Sequence, residues 1–263
     1  MDSQPEKIWY FAYGSNMSSA KFTGGRGIVP LDIARVRVPG WALTMEIPGM
    51  PYSEPSFSSI APHRDTEAEK GVAFDVIGVA YLISQEQYRR VISSEGGGIA
   101  YRDICLVGEP VGEDDRKKIG YQITVRTLGT AMSKHPPPLP SQRYMNLLID
   151  GGKEAHLPLQ YQQYLSHVPI YRPPSSSWTK LGAFIFISVW GPVMLAMEKL
   201  TKGSIQSDGN APRWVILLVR CIVFIIWAVH DYLFAPIFGR GDGIRKGHGC
   251  IDRRCWSVDA RQW

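Results

Sequence analysis

The sequence predicts an α+β domain followed by an apolar helical hairpin. Three observations carry this. Short β-prone runs alternate with helical patterns and turn signals from residue 8 to about 172. The stretch PPSSS at 173–177 then breaks the pattern. Beyond it lie two long apolar runs, 181–197 and 214–229, with a polar loop between them.

The elements follow in order. Residues 8–13 read as a strand that stops at Tyr13-Gly14-Ser15-Asn16. Residues 33–38 and 42–47 read as strands joined through Pro39-Gly40-Trp41. Residues 50–68, rich in Pro, Ser and charge, read as a loop, and 71–82 as a strand broken at Gly78. Ser84, with Gln87 three residues on, makes a capping box opening a helix that runs to the glycines at 96–98. Residues 101–107 and 121–127 read as strands, with GEDDRKK as a charged turn between them. SKHPPPLP (133–140) is a stiff polyproline-like link. Helices are expected at 141–150 and 158–166, the second with Pro158 at its first position.

Composition narrows the function classes. The formal net charge is +5, but Lys and Arg are scattered and no basic helix interleaves with aromatics, so nucleic acid is not the expected partner. Cys105, Cys221, Cys250 and Cys255 form no disulfide framework, which points to a reducing compartment. The first residues carry acids and no long apolar core, so no secretory signal is expected. Among the apolar runs, 181–197 holds no charge, and the second holds Arg220, which costs about 2.5–3.5 kcal/mol at mid-membrane. Trp178, Trp190, Trp214, Trp227 and Tyr232 sit near run ends, as an interfacial belt does. Two arrangements fit. Residues 181–197 and 214–234 form a membrane hairpin with the domain and basic tail facing the cytosol, or the hairpin packs on the domain or a second copy in a soluble cytoplasmic protein. A homodimer is compatible with either. The expected partition is 1–175, 176–239 and a polar tail 240–263, in which RGDG reads as a loop.

Candidate chemistry is sparse. The turn after the first strand is either an ordinary turn or an anion nest whose small residues aim backbone N–H groups at one spot. Glu95 ends the capped helix, against the negative end of its dipole. In an apolar site its pKa would rise and suit proton transfer; the plain alternative is a solvated Glu before a glycine cap. The histidines lack zinc spacing, so no metal is expected. Ser15 lacks G-x-S-x-G. GGRG (24–27) and EGGG (95–98) lack the dinucleotide spacing, and no cofactor is expected. Tyr144 reads as a core residue whose hydroxyl needs a partner.

In combination these pieces resemble the γ-glutamylcyclotransferase family. The stretches are FAYGSNM (11–17), GVAYLIS (78–84) with the helix to Glu95-Gly96 and Tyr101 beyond, and PSQRYMNLLIDGGKEAHLPLQYQQYL (140–165). The resemblance covers about 8–172. WGPVM (190–194) and APIFGRGDG (235–243) are similar to an extension in the family's long fungal branch, which serves the assembly of sulfur-containing epidithiodioxopiperazine toxins. The resemblance implies a small mixed β-barrel-like sheet with flanking helices. It implies a small-molecule substrate, an L-γ-glutamyl amide whose α-amine attacks its own γ-carbonyl to give 5-oxoproline and a free amine. It further implies that Glu95 is the acid–base. Tyr13, Gly14, Ser15, Asn16, Met17 and Ser18 then bind the glutamyl head, and Tyr144 contacts substrate. Residues 48–71 are longer and richer in proline than in compact members, which would widen the pocket toward a bulky glutathione adduct. Two other functions are weighed: a catalytically idle membrane scaffold on the same fold, and a γ-glutamylamine cyclotransferase acting on protein crosslinks.

Overall fold

The computed structural model describes residues 7–63, 74–244 and 256–258. Strands β1 (Lys7–Ala12), β2 (Asp32–Val38), β3 (Trp41–Met50), β4 (Glu54–Pro62), β5 (Val76–Ser84), β6 (Tyr101–Pro110) and β7 (Ile123–Thr130) are joined by short β8 (Met132–Lys134) and β9 (Trp256–Val258). Five of them close a barrel in the order β1-β5-β2-β6-β7. All neighbours are antiparallel except β7 and β1, which meet in parallel at Tyr10 and Arg126. Closure leaves no free edge and turns one side chain of each inward pair into a common core. Phe11, Val36, Val76, Ile83 and Val125 are fully buried there. The sequence break at Gly78 has a packing cause: a Cβ there would lie 3.0 Å from the Phe11 ring and overlap the Ala12 carbonyl.

Helix α1 (Gln85–Ser94) begins as expected, with Ser84 Oγ accepting from Gln87 N at 3.2 Å and Gln87 Oε1 accepting from Ser84 N at 2.9 Å. Its buried residues Tyr88, Val91 and Ile92 dock it on the barrel, and Glu95 is its C-cap. Helices α3 (Gln142–Glu154) and α4 (Leu159–His167) lie close to the expected 141–150 and 158–166, with Pro158 at the N-cap rather than inside the first turn.

Two expectations fail. The charged GEDDRKK is not a turn but helix α2 (Glu113–Ile119). Its acids fill the first turn and its bases the last, which suits the helix dipole. Asp115 is buried and accepts from Arg35 N at 2.8 Å and Arg35 Nε at 3.0 Å. The supposed loop at 50–68 contains β4, paired with β3 from Trp41↔Pro62 to Met50↔Glu54 across a bulge at Thr44/Ile47. Its serines are buried, with Ser56 and Ser58 on one face of the strand and Ser59 on the other. Parts of that expected loop and of the expected strand 71–82 fall at 64–73. These, and the tail beyond 244 apart from 256–258, lie outside the described residues.

The two apolar runs are helices α5 (Ser177–Ser204) and α6 (Arg213–Val229), the latter continuing through a wide π-turn, His230–Phe234, into α7 (Ala235–Phe238). The expected polar loop 198–213 is shorter, because α5 runs on to Ser204. Val215, Val219, Val223 and Trp227 recur at four-residue spacing on α6 and pack with Met132 and Ile99 of the barrel unit and with Met194 and Met197 of α5. Trp227 Nε1 donates to Gly49 O at 3.0 Å, and its ring faces the Lys134 ammonium. The helix is thus fastened along its length. The opposite faces are exposed and apolar, with Phe184, Val189 and Leu195 on α5 and Trp214, Phe224 and Ile225 on α6.

His230, Asp231 and Asp242 bring ligand-type atoms within 4.8 Å of one another. Their atoms are already engaged. Asp231 pairs with Lys134 at 2.7 Å and Arg240 at 3.1 Å, and Arg240 also pairs with Asp242. His230 Nε2 accepts from Gly241 N at 2.9 Å, so its proton sits on Nδ1, donated to Asp231. This network and the Tyr52 N–H to Gly241 O bond (2.6 Å) latch the C-terminal segment onto the β3–β4 hairpin.

Candidate active site

The site forms where β1 ends. Gly14 leads into a single 3₁₀ turn, Ser15–Met17, and a short π-helical segment, Ala20–Gly25, which delivers Arg26. Gly14 permits a close approach: a Cβ there would lie 2.6 Å from Ser58 Oγ and 3.5 Å from Tyr144 Oη. Phe22 stacks between Tyr10 and Tyr81 at centroid distances of 5.8 and 4.2 Å, which fixes the segment against the barrel.

Glu95 faces this turn across the barrel mouth. Asn16 Nδ2 donates to Glu95 Oε1 at 3.1 Å and to Tyr10 Oη at 2.8 Å. Arg26 reaches both partners, donating to Asn16 Oδ1 and forming an ion pair with Glu95. The carboxylate is therefore not in the apolar setting that sequence alone suggested; charged and polar groups surround it. Lys21 donates to Ser15 Oγ, and burial pushes its ammonium below the ordinary lysine value. A second side of the mouth comes from β4 and α3. Tyr144 Oη accepts from Ser58 N at 3.1 Å and shares a hydrogen bond with Ser58 Oγ at 2.7 Å, while Tyr101 Oη donates to Ser58 O at 2.9 Å.

Of the residues singled out by sequence, Tyr13, Gly14, Ser15, Asn16, Glu95 and Tyr144 line one small cavity of about 30 Å³. Tyr13 donates to Leu128 O and so ties the turn to β7. Met17 and Ser18 do not reach it. Met17 is buried in the core, where its backbone carbonyl accepts from Tyr81 Oη at 3.1 Å. Ser18 O accepts from Phe22 N at 2.9 Å and starts the next segment. Tyr101 was marked only as part of the family resemblance, and Tyr10, Lys21, Arg26 and Ser58 went unread as site residues. A signal existed for Arg26, since it lies among Gly24, Gly25 and Gly27 at a fixed distance after the turn. Ser58 had none, because its strand resembled a loop.

The loop that follows Glu95 is held from outside the barrel. Gly96, Gly97 and Gly98 all have positive φ (89°, 56° and 89°). Gly97 O accepts from Ala211 N at 2.8 Å, Gly98 O from Arg220 Nη2 at 3.1 Å, and Ile99 O from Arg220 Nε at 2.9 Å. Arg220 is thus the reason a charge interrupts the second apolar run.

The site's tyrosines are neutral hydrogen-bonding groups at physiological pH. Burial raises the phenols of Tyr10, Tyr13 and Tyr101, and lifts Tyr144 to about 12.

The comparisons follow from this geometry. A family model described as the AclK C-terminal domain matches residues 176–237. A gamma-glutamyl cyclotransferase, aclK, of Aspergillus oryzae is 40% identical over 250 residues, covering 91% of this chain and 92% of its own. A gamma-glutamyl cyclotransferase, gliK, of Aspergillus fumigatus is 36% identical over 251 residues, covering 92% of this chain and 91% of its own. The crystal structure of an uncharacterized human protein shares the fold over 65% of this chain and 95% of that one, with 21% identity and a TM-score of 0.50.

Tyr144 also gives a pH-dependent stability. Its phenol ionises near 10 when unfolded but only near 12 when folded. Between these values unfolding releases a proton, so its contribution, present in full below about 10, falls as pH rises to about 12, by about 2–3 kcal/mol. Tyr144→Phe is expected to be less stable than the native protein by about 1–2 kcal/mol at pH 8 through its lost hydrogen bonds, with the gap shrinking above pH 10. Urea titrations at pH 8 and 11 check this; an unchanged gap refutes it.

Proposed function

Because the chain belongs to the gamma-glutamyl cyclotransferase family and is an enzyme of that class, we propose that it cyclises an L-γ-glutamyl amide with Glu95 as general acid and base. One observation carries the reading: a carboxylate stands across the barrel mouth from a backbone turn and two cations, with little room between them. Lys21, Arg26 and Glu95 together carry one net positive charge. The substrate's α-carboxylate is drawn to this positive side while its α-ammonium faces Glu95, and Arg26, held between Asn16 and Glu95, is the group to receive the carboxylate.

Transfer of Arg26 to the substrate frees Glu95 for the α-ammonium. Glu95 removes one proton, the amine nitrogen attacks the γ-carbonyl carbon, and the carbonyl electrons move to oxygen. The turn at Gly14–Asn16 and the neutral phenol of Tyr144 line the same cavity and can donate to that charge. Collapse of the intermediate breaks the amide C–N bond as Glu95 returns its proton to the leaving nitrogen, and the second proton, shed by the attacking nitrogen as it becomes the ring amide, passes to the released amine. The products are 5-oxoproline and a free amine, with no water consumed. The attack is intramolecular, so positioning replaces a protein nucleophile.

A glutathione-derived adduct is the substrate this reading favours, within fungal assembly of a sulfur-containing toxin, in keeping with the sequence resemblance of residues 190–194 and 235–243. In the same reading residues 1–175 are the catalytic unit and 176–239 an apolar hairpin that rests on a membrane, with the catalytic unit on the cytosolic side. The long exposed apolar faces of α5 and α6 support this attachment. The docking of α6's inner face on the barrel favours a hairpin lying along the membrane surface.

Three outcomes are expected. Glu95→Gln stays folded and loses 5-oxoproline release from glutathione, a γ-glutamyl dipeptide or an S-conjugate by about 10²–10⁴-fold; a folded variant at native turnover sinks the assignment. Arg26→Met raises KM at least tenfold with a smaller change in kcat, whereas an unchanged KM removes Arg26 from substrate binding. Full-length protein floats with phospholipid vesicles in a density gradient; recovery from the bottom fraction argues for a hairpin that serves only as packing.

A further inference from the structure

We propose that the leaving half of the substrate lies outside the barrel, in a groove whose far wall is the α5–α6 connector (205–212), and that this groove selects a large, mainly apolar amine. The inference rests on Glu95 acting at the γ-carbonyl.

Glu95 stands at a junction. With Tyr101 and Leu128 it lines the small cavity beside the Gly14–Asn16 turn, and the same three residues line a second cavity of about 240 Å³ on the other side. If the glutamyl head fills the first, the amide bond points its amine into the second. Asp208 and Asn210 of the connector line that second cavity. It continues into a groove of about 950 Å³, with which it shares Tyr101, Asp103, Asp208 and Asn210. Such a volume lies in the range that takes a drug-sized molecule. The groove's barrel wall includes Trp41, Ile104 and Leu106, and its helical wall Ile216 and Leu217. Apolar area of this kind discriminates by size and by the water it sheds.

The connector is built as a fixed wall. Asp208 accepts from Asn210 N at 2.9 Å and Nδ2 at 3.0 Å, and Gln206 N donates to Asn210 O at 2.8 Å. Gly209, with φ of 90°, presses on α1 so closely that a Cβ would lie 2.6 Å from Arg89 O. Ala211 N is bound to Gly97 O, two residues beyond Glu95. The wall is therefore fixed relative to the loop that follows Glu95.

The test compares kcat/KM for γ-glutamylalanine and for S-(naphthylmethyl)glutathione, following 5-oxoproline, in the full chain. The native enzyme is expected to favour the conjugate. Leu106→Trp and Ile216→Trp, which fill the groove from opposite walls, are each expected to cut the conjugate-to-dipeptide ratio at least tenfold. A ratio that holds in both variants overturns the proposal, as does a native enzyme with no preference. Calorimetric titration of the conjugate into Glu95→Gln reads the groove without turnover: binding there, lost at least tenfold on adding Leu106→Trp, supports the groove. Equal binding with and without Leu106→Trp counts against it. Absence of 5-oxoproline from both substrates in the native enzyme, by contrast, sinks the cyclotransferase reading itself. A phospholipid found by native mass spectrometry and not displaced by the conjugate also overturns the proposal.

Discussion

Three successive backbone carbonyls, those of Gly97, Gly98 and Ile99, are held by one backbone N–H and one guanidinium from a different part of the chain. A loop with three consecutive positive φ angles belongs to no helix or ladder, so its carbonyls need partners from elsewhere. Arg220 supplies two of these bonds from an otherwise apolar run, 214–229, and is itself buried. Removing its side chain would strand two carbonyls in a low-dielectric contact between α6 and the barrel. Glu95 is the last residue before that loop, so the direction of its carboxylate depends on an interaction more than 120 residues away in sequence. The hairpin that looked like an attachment is part of the frame of the site.

The site itself balances charge within a narrow space. Glu95, Arg26 and Asn16 satisfy one another in the free protein, and the surrounding tyrosines stay neutral because burial disfavours their phenolates. Such a cluster stores no unpaired charge while empty. In the proposed mechanism, a ligand with an anionic group and an ammonium a short distance apart replaces both halves of the ion pair at once, which would link binding to release of the carboxylate.

Much of this was legible from local pattern. The strand ending at Tyr13-Gly14, the Ser84–Gln87 capping box and Glu95 at the end of that helix are each decided by neighbours a few residues apart, so sequence spacing reveals them. Tyr144 was visible through the resemblance of Pro-Ser-Gln-Arg-Tyr (140–144) to the family's helix, and the structure caps that helix with Ser141, which accepts from Tyr144 N at 3.0 Å. What stayed hidden depends on pairing across the fold. β4 buries Ser58 against Tyr144 and Tyr101 on one face and Ser59 against Thr130 on the other, and no local rule makes Pro-Ser-Phe-Ser-Ser a strand. Helix α2 is seven residues of mixed charge whose anchor, Asp115, is defined only by Arg35 on a distant strand. Arg26 reads as a surface charge until the π-helical segment turns it back onto Glu95. The apolar runs were recognised as helices, but which face meets the barrel was not readable before the barrel itself was in place.

The glycine triplet ties the history of two regions together. A Cβ at Gly97 would lie 2.6 Å from Ile205 Cδ1 and 2.8 Å from Ala211 N, and one at Gly98 would lie 3.1 Å from Asn210 Oδ1. Small residues are demanded there by the appended helices as well as by backbone angle. A lineage that shed residues 176–239 would lift the steric demand and leave the three carbonyls to water, so selection would be free to replace the triplet with a conventional helix cap. The run Glu-Gly-Gly-Gly thus answers two demands at once, backbone angle at all three glycines and room for the connector at Gly97 and Gly98, so the loop beside Glu95 and the helical extension are fitted to each other.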